Sequence, residues 1–308
     1  MSNRRFLDYL IISFKGMAMG AADVVPGVSG GTIAFIAGIY EELLGSINAV
    51  NFSLFKTFKE KGIKSVWQQV NGNFLLALLI GIGFSVFTLA KLVSYLLENQ
   101  PILLWSFFFG LVLASVVYIA KQISKWQILT VIVLLLGAAI AYYITTLTPL
   151  VTENASPVYL MLAGALAICA MILPGISGAF ILVLLGAYKF VLDAVHNRDI
   201  QTLAIVAGGA VIGLLTFSRV LKWLFSHYRN ITLALLTGFI IGSLNKIWPW
   251  KETLTWRTNS KGIEVPLKEA SISPSTFDGD PQLIMAIVMA IVGFILILGL
   301  EQFAKKYE

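Results

Sequence analysis

Apolar residues form long runs along most of the chain, and polar residues are confined to short stretches between these runs. A helix needs about 20 apolar residues to cross the roughly 30 Å of hydrocarbon in a bilayer. Uncharged apolar runs near that length, some longer and some shorter than one span, cover residues 65–90, 102–120, 126–152, 157–188, 200–218, 231–245 and 281–300. This pattern predicts an all-α polytopic membrane protein.

Two apolar regions are interrupted by the same Pro-Gly-x-Ser-Gly motif. The first motif occupies residues 26–30 and the second occupies residues 174–178. Proline lacks an N–H group and each glycine is about 1 kcal/mol worse than alanine in a helix, so both motifs should break their helices. Backbone groups freed inside a bilayer must be buried in protein or line a wet cavity. We therefore expect broken or re-entrant helices at a transport site.

The two motifs belong to an internal repeat. At an offset of 148 positions, 7 of the 15 residues in 26–40 are identical to their counterparts. Later segments align at an offset of 128, which pairs Gly81 with Gly209. We predict two repeats of about five helical segments each, residues 1–150 and 151–308. An odd number of segments brings the second repeat into the membrane from the opposite side, so the repeats are predicted to be inverted, as in many secondary transporters.

Charge is scarce and unevenly distributed. The 308 residues are 58% hydrophobic and 12% charged, with a formal net charge of +6, which excludes a soluble domain. The positive-inside rule explains this charge better than binding to nucleic acid does. It predicts that both termini are cytoplasmic and that the mixed-charge segments at 193–199 and 251–280 are external. The cations on the predicted cytoplasmic side are Arg4, Arg5, Lys56, Lys59, Lys61, Lys64, Lys121, Lys125, Lys222, Arg229, Lys305 and Lys306.

The broken motifs contain candidate ligands for an anion. A helix N-terminus presents unpaired N–H groups and about half a positive charge, which suits a phosphate or a carboxylate. Helices that begin near Gly30 and Gly178 would point these ends toward the midplane from opposite sides. Close packing of small residues between helices is the alternative explanation. The predicted substrate-binding residues of the motifs are Ser29, Gly30, Gly31, Thr32, Ser177 and Gly178.

Two cations at matched positions of the repeats lie within apolar spans, Lys91 in the first repeat and Arg219 in the second. A cation inside a membrane costs free energy unless it is paired, so it is a functional candidate by default. We predict that Lys91 and Arg219 neutralise a phosphate, the lysine as a point charge and the arginine through two N–H groups. Each lies a turn or two from the end of its segment, so snorkelling to the interface is the alternative.

Three further charged residues are candidates for coupling or for the transport pathway. Asp23 has no acidic counterpart in the second repeat, where Met171 occupies the matched position. The asymmetry indicates a specific task, such as proton coupling or pairing with Lys15 or Lys91. A structural role in helix capping is the alternative. Glu41 follows the first motif closely and is predicted to line the pathway.

Residues suited to enzymatic or metal chemistry are few. Cys169 is the single cysteine, and His196 and His227 lie near segment ends, far in sequence from any second ligand. This pattern excludes a disulfide framework and a thiolate metal site. It also leaves no nucleophile or metal cluster for a membrane lipid phosphatase. We predict a transporter rather than an enzyme, with no cofactor and no metal.

The motif Ala-Asp-Val-Val-Pro-Gly-Val-Ser-Gly-Gly-Thr-Ile-Ala-Phe at 22–35, with Leu-Pro-Gly-Ile-Ser-Gly at 173–178, resembles a family of bacterial membrane proteins. That family, formerly a domain of unknown function, is described as undecaprenyl-phosphate (polyprenyl-phosphate) transporters. The resemblance implies a plasma-membrane flippase that returns this lipid from the outer to the cytoplasmic leaflet for peptidoglycan and other envelope synthesis. Its implied partners are the polyprenyl-phosphate lipid and the surrounding membrane lipids. A secondary transporter of a small soluble anion, using the same site, is the alternative.

Overall fold

The computed structural model describes residues 4–25, 28–150, 154–258 and 264–307. Pro26 and Gly27 of the first motif lie outside the described residues. The first half of the chain folds into seven helices: α1 Phe6–Val24, α2 Gly30–Ile36, α3 Tyr40–Asn48, α4 Ser53–Gln69, α5 Gly72–Asn99, α6 Pro101–Lys121 and α7 Ile128–Thr146.

The second half contains six further α-helices and a β-hairpin. The helices are α8 Pro157–Ile172, α9 Gly178–Leu184, α10 Tyr188–His196, α11 Ile200–His227, α12 Arg229–Ser243 and α13 Leu283–Tyr307. Short 3₁₀ helices cover Leu244–Ile247 and Pro274–Thr276, and the antiparallel strands are β1 Lys251–Thr258 and β2 Glu264–Ser271.

Five of the described helical segments are long and apolar enough to cross a membrane. Four of them lie in α5, α6, α7 and α11, and the fifth consists of α12 together with the 3₁₀ helix that follows it. The helix pair α9 and α10 is also apolar but is bent by 107° at its break. Shorter apolar helices are α8 and Leu283–Gly299 of α13. The prediction of an all-α polytopic membrane protein with broken helices at the motifs is confirmed.

The helix pairs follow the internal repeat: one matched pair lies within each half, and the other two pairs join the halves. Helix α1 packs along α5 as α8 packs along α11, and α6 packs along α13 as α7 packs along α12. Glycine allows the close approach in each pair: Gly81 lies against the carbonyl oxygen of Ser13, and Gly209 lies against that of Met161. These two contacts are related by the offsets of 148 and 128 that align the sequences. The inverted relation of the halves and their division at residue 150 stay predictions.

Two elements break the correspondence between the halves. Helix α4 has no counterpart among the described residues of the second half, and none of its own residues is buried. The mixed-charge segment at 251–280, which was predicted to be an external loop, instead forms the hairpin of β1 and β2 over much of its length. Two indole groups fix the base of the hairpin, because Trp248 Nε1 donates to Ile272 O at 2.8 Å and Trp250 Nε1 donates to Pro281 O at 2.9 Å.

Replacing Gly209 by alanine should destabilise the protein, because the new Cβ would overlap the Met161 carbonyl of α8. We expect a loss of about 1–3 kcal/mol, typical of overpacking. A Cβ added to the neighbouring Gly208 would meet no atom within 4 Å, so Gly208→Ala is the matched control and should be neutral or slightly stabilising. Thermal unfolding in detergent measures both variants. Equal melting temperatures would contradict the close α8–α11 contact.

Candidate functional site: the paired broken helices

The first broken helix is capped from within its own motif. Ser29 is the N-cap of α2, and its Oγ accepts the Gly31 N–H at 3.1 Å. The Asp23 carboxylate at the end of α1 accepts the Gly30 N–H at 2.7 Å. A carboxylate is favourable at a helix N-terminus, where the helix dipole is positive. In this structure the predicted anion-binding end of α2 therefore holds the carboxylate of Asp23.

The opposite end of α2 carries a positive charge. Lys15 Nζ donates to the carbonyl oxygen of Ala37, the C-cap of α2, at 2.6 Å. All seven residues of α2 are buried, so both charges act where water screens them little. Lys15 and Asp23, the predicted coupling residues, lie at opposite ends of this short helix.

Hydroxyl groups of the first motif bind the backbone of the second. Ser29 Oγ donates to Met171 O at 3.1 Å, with Leu173 O 3.3 Å away, and Gly175 N donates to Thr32 Oγ1 at 3.0 Å. These bonds satisfy backbone groups that the break after α8 releases from helical pairing. The structure thus brings the two predicted motifs into direct contact.

Tyr40 adds a bond to this contact, and the backbone at Gly175 restricts which residue can take part in it. Tyr40, which follows the first motif, donates its hydroxyl to Ile172 O at 3.1 Å. Gly175 has a φ of +92°, and a Cβ there would lie 2.9 Å from the backbone of Ile240 in α12. Since φ above zero and the close approach both favour glycine, this position of the second motif is restricted by its fold.

The second motif is more open than the first. Ser177 is the N-cap of α9 but caps no N–H group, and within α9 only Gly178 is buried. Ser177 is 7% exposed and lines a narrow cleft whose free space holds about one water molecule. The walls of the cleft are Ala141, Ile144 and Thr145 of α7, Gly175, Ile176, Ser177 and Phe180 of the second motif and α9, and Lys246.

Lys246 is a cation of this cleft that sequence reasoning missed. It lies in the 3₁₀ helix after α12, and its Nζ is 5.2 Å from the centre of the Phe180 ring and 3.7 Å from Glu269 Oε2. Lys246 comes directly after the apolar run at 231–245 and two residues before Trp248. This position at the end of an apolar run is the sequence feature that could have identified it. A repeat alignment could not find it, because the matched residue in the first half is Tyr118.

Lys251 also approaches Glu269 but is held on the hairpin. Its Nζ is 3.8 Å from Glu269 Oε2, 4.5 Å from the centre of the Trp105 ring, and donates to Lys246 O at 2.7 Å. Burial lowers the pKa of Lys251 to about 8. The cost of removing this ammonium from water therefore outweighs the attraction of Glu269, and Lys251 is fixed by packing rather than by a strong ion pair.

The predicted cations Lys91 and Arg219 lie elsewhere. Both side chains are exposed, on α5 and α11 respectively, and the structure shows no hydrogen bond or ion pair between either one and a described residue of the motifs. Their role as substrate ligands stays a prediction. Among the described residues, no group of three His, Cys, Asp or Glu side chains could hold a metal ion.

Glu41 lies at the other end of the molecule from the cleft, in a group of ion pairs around α3. Glu41 Oε1 accepts from Arg229 at 2.6 Å, and both side chains are about half exposed. The adjacent Glu42 accepts two bonds from Arg4, at 2.5 and 2.8 Å, and one from Asn71 at 2.7 Å. These bonds tie α3 to the chain start, to the start of α5 and to the start of α12.

Replacing Thr32 by valine should destabilise the contact between the motifs. Valine has nearly the same shape as threonine but lacks the hydroxyl that accepts the buried Gly175 N–H. Leaving this N–H without an acceptor should lower the free energy of unfolding by about 1–3 kcal/mol. Thr237→Val is the matched control, since Thr237 is equally buried and its hydroxyl bonds only to Leu233 O of its own helix. We expect thermal unfolding to show a lower melting temperature for Thr32→Val alone. Equal shifts in both variants would contradict the cross-motif bond.

Comparisons with known proteins agree with the motif resemblance. A family described as undecaprenyl phosphate translocase-like matches residues 19–265. The chain is 51% identical to a polyprenyl-phosphate transporter of Vibrio cholerae serotype O1, over 97% of this chain and 98% of that protein. It is 32% identical to a polyprenyl-phosphate transporter of Staphylococcus aureus, over 76% of this chain and 84% of that protein.

No solved structure gives a significant match. The matched family and both relatives are named as translocases or transporters, which agrees with the prediction of a transporter rather than an enzyme. The match covers most of the chain and includes both broken motifs. The chain therefore belongs to the undecaprenyl phosphate translocase-like family of multi-pass membrane proteins.

Proposed function

We propose that this protein moves polyprenyl phosphate, in particular undecaprenyl phosphate, from the outer to the cytoplasmic leaflet of the bacterial plasma membrane. The names of the two relatives support this substrate. The observation that carries the proposal is the contact of two broken helices inside an apolar helix bundle, with a hydroxyl and a cation in the adjoining cleft. Such a site can replace part of the hydration of a phosphate group while it crosses the hydrocarbon.

The proposed orientation follows the positive-inside rule. The four lysines of α4 and the arginines that pair with α3 are then cytoplasmic, and the β1–β2 hairpin is external. In this orientation the cleft beside Ser177 opens toward the outer leaflet. The ion pairs Arg4–Glu42 and Arg229–Glu41 close the cytoplasmic end. The conformation is then one that loads substrate from outside.

Transport would proceed by alternating exposure of the site between two inverted repeats. The phosphate binds at the mouth of the narrow cleft, beside Ser177, while the apolar tail stays in the bilayer, so the path needs a lateral opening. The proposed substrate ligands are the hydroxyl and backbone groups of the two motifs. Because Asp23 and the Leu173 region engage the first motif in this conformation, Ser177 and Gly178 of the second motif would meet the phosphate first.

Lys91 and Arg219 fit this path as exposed cations on the lipid side of the bundle. Each lies eight residues from the last residue of its helix, which is about 12 Å along the axis. In the proposed orientation α5 ends outside and α11 ends in the cytoplasm. Lys91 would therefore attract the phosphate from the outer leaflet, and Arg219 would attract it on the cytoplasmic side.

Proteoliposomes with polyprenyl phosphate in both leaflets provide the direct test. We expect the wild-type protein to equilibrate the lipid between leaflets, and Ser177→Ala to slow this movement about tenfold, because a hydrogen bond to a charged group is lost. Ser106→Ala is the matched control, since Ser106 is buried and bonds only to Ile102 O of its own helix. Uptake of free phosphate without movement of the lipid would favour the small-anion transporter instead.

The proposed orientation can be tested by cysteine labelling in intact cells. In a Cys169→Ser background, Glu252→Cys on the hairpin should react with a membrane-impermeant maleimide from outside. Lys59→Cys on α4 should react only after the membrane is permeabilised. Both positions are exposed in the structure, so burial does not explain a difference. The reverse pattern would overturn the orientation and the direction of loading.

A further inference from the structure

Lys246 stands between the cleft and the hairpin. Its side chain is 29% exposed, its ammonium group lies near the ring of Phe180 on the cleft wall, and Glu269 of β2 approaches it from the other side. Among the described residues that line the cleft, Lys246 is the charged one. The buried Ser177 lines the same cleft.

The pairing of Lys246 with Glu269 is loose. The distance of 3.7 Å from Lys246 Nζ to Glu269 Oε2 is longer than a charge-assisted hydrogen bond, whereas Arg4 and Glu42 approach to 2.5 and 2.8 Å. Glu269 is also shared, because Lys251 lies 3.8 Å from the same oxygen. One carboxylate thus faces two ammonium groups, and this group of three side chains has an excess of one positive charge when all are ionised.

The hairpin fixes the backbone at Glu269. Glu269 is paired with Thr253 in the ladder, and the Trp248 and Trp250 indoles anchor the base of the hairpin. Lysine carries its charge on a flexible four-carbon stem. The Lys246 ammonium can therefore turn from Glu269 toward the cleft without any movement of the backbone.

We propose that Lys246 binds the phosphate group of the substrate at the mouth of this cleft and that Glu269 is its exchangeable counter-ion. This inference rests on the proposed function and deepens it. On loading, the phosphate takes the place of Glu269 beside Lys246, and the Ser177 hydroxyl donates to a phosphate oxygen. When the phosphate leaves toward the cytoplasmic side, Glu269 pairs with Lys246 again.

A counter-ion in the protein solves two problems of such a site. An unpaired ammonium in a half-buried cleft is costly, so Glu269 stabilises the empty site. The same carboxylate competes with the phosphate, which keeps binding weak enough for release. A site that binds a transported ion must allow both entry and exit. Glu269 therefore lowers the affinity for the phosphate and speeds its departure.

Binding can be measured on the purified protein in nanodiscs by titration calorimetry, with farnesyl phosphate as a short-chain probe and inorganic phosphate as a second probe. We expect Lys246→Ala to weaken binding of farnesyl phosphate about tenfold or more, and Lys246→Arg to retain it within about threefold. Glu269→Gln should bind about threefold tighter or more and turn over more slowly in the leaflet assay. The matched control is Glu252→Gln, on the exposed side of the same hairpin, which should change neither quantity.

The outcomes separate this inference from the proposed function. The wild type could move polyprenyl phosphate while Lys246→Ala binds farnesyl phosphate and moves the lipid equally well. This result would overturn the role of Lys246 and leave the proposed function supported. If Glu269→Gln binds equally or more weakly at an unchanged melting temperature, Glu269 is a structural residue of the hairpin and the exchange is wrong. If the wild type neither binds farnesyl phosphate nor moves the lipid, both fall. Equal competition by inorganic phosphate would identify the free anion as the ligand.

Discussion

The structure depends on the need to satisfy the backbone where two helices break inside an apolar bundle. Each break releases N–H and carbonyl groups that lipid cannot pair. Asp23 and Ser29 cap the first break from the same half, whereas Ser29, Thr32 and Tyr40 bond to the backbone around the second motif. The second break therefore takes partners from the first half, and the two halves are joined where their helices break.

The two motifs share a sequence pattern but differ in their surroundings. Polar groups of the first motif bond within the protein, and α2 is fully buried. The second motif keeps the Ser177 hydroxyl free of any capping role and adjoins a cleft. Helix capping and packing thus account for the polar groups of the first motif in this conformation, and ligand binding at the second motif stays a prediction.

Much of the fold could be predicted from the sequence because the bilayer leaves few choices. Apolar runs gave the spanning helices, and the Pro-Gly motifs located both breaks, with α2 and α9 beginning at Gly30 and Gly178. The repeat alignment paired Gly81 with Gly209, and the structure places both glycines at close helix contacts, which a Cβ would prevent. The hairpin was missed because its mixed charges hide the alternation of a strand. Lys246 was missed because tertiary contacts, rather than the motif or the repeat, bring it beside Ser177.

Helix α2 carries a compensating charge at each end, the Asp23 carboxylate at its start and the Lys15 ammonium at its close. When both are ionised, a rearrangement that shifts these three parts together carries no net charge through the transmembrane electric field. A displacement of this unit would thus add little to any voltage dependence of the protein. Voltage dependence would arise instead from charges that do not move together with a partner of opposite sign.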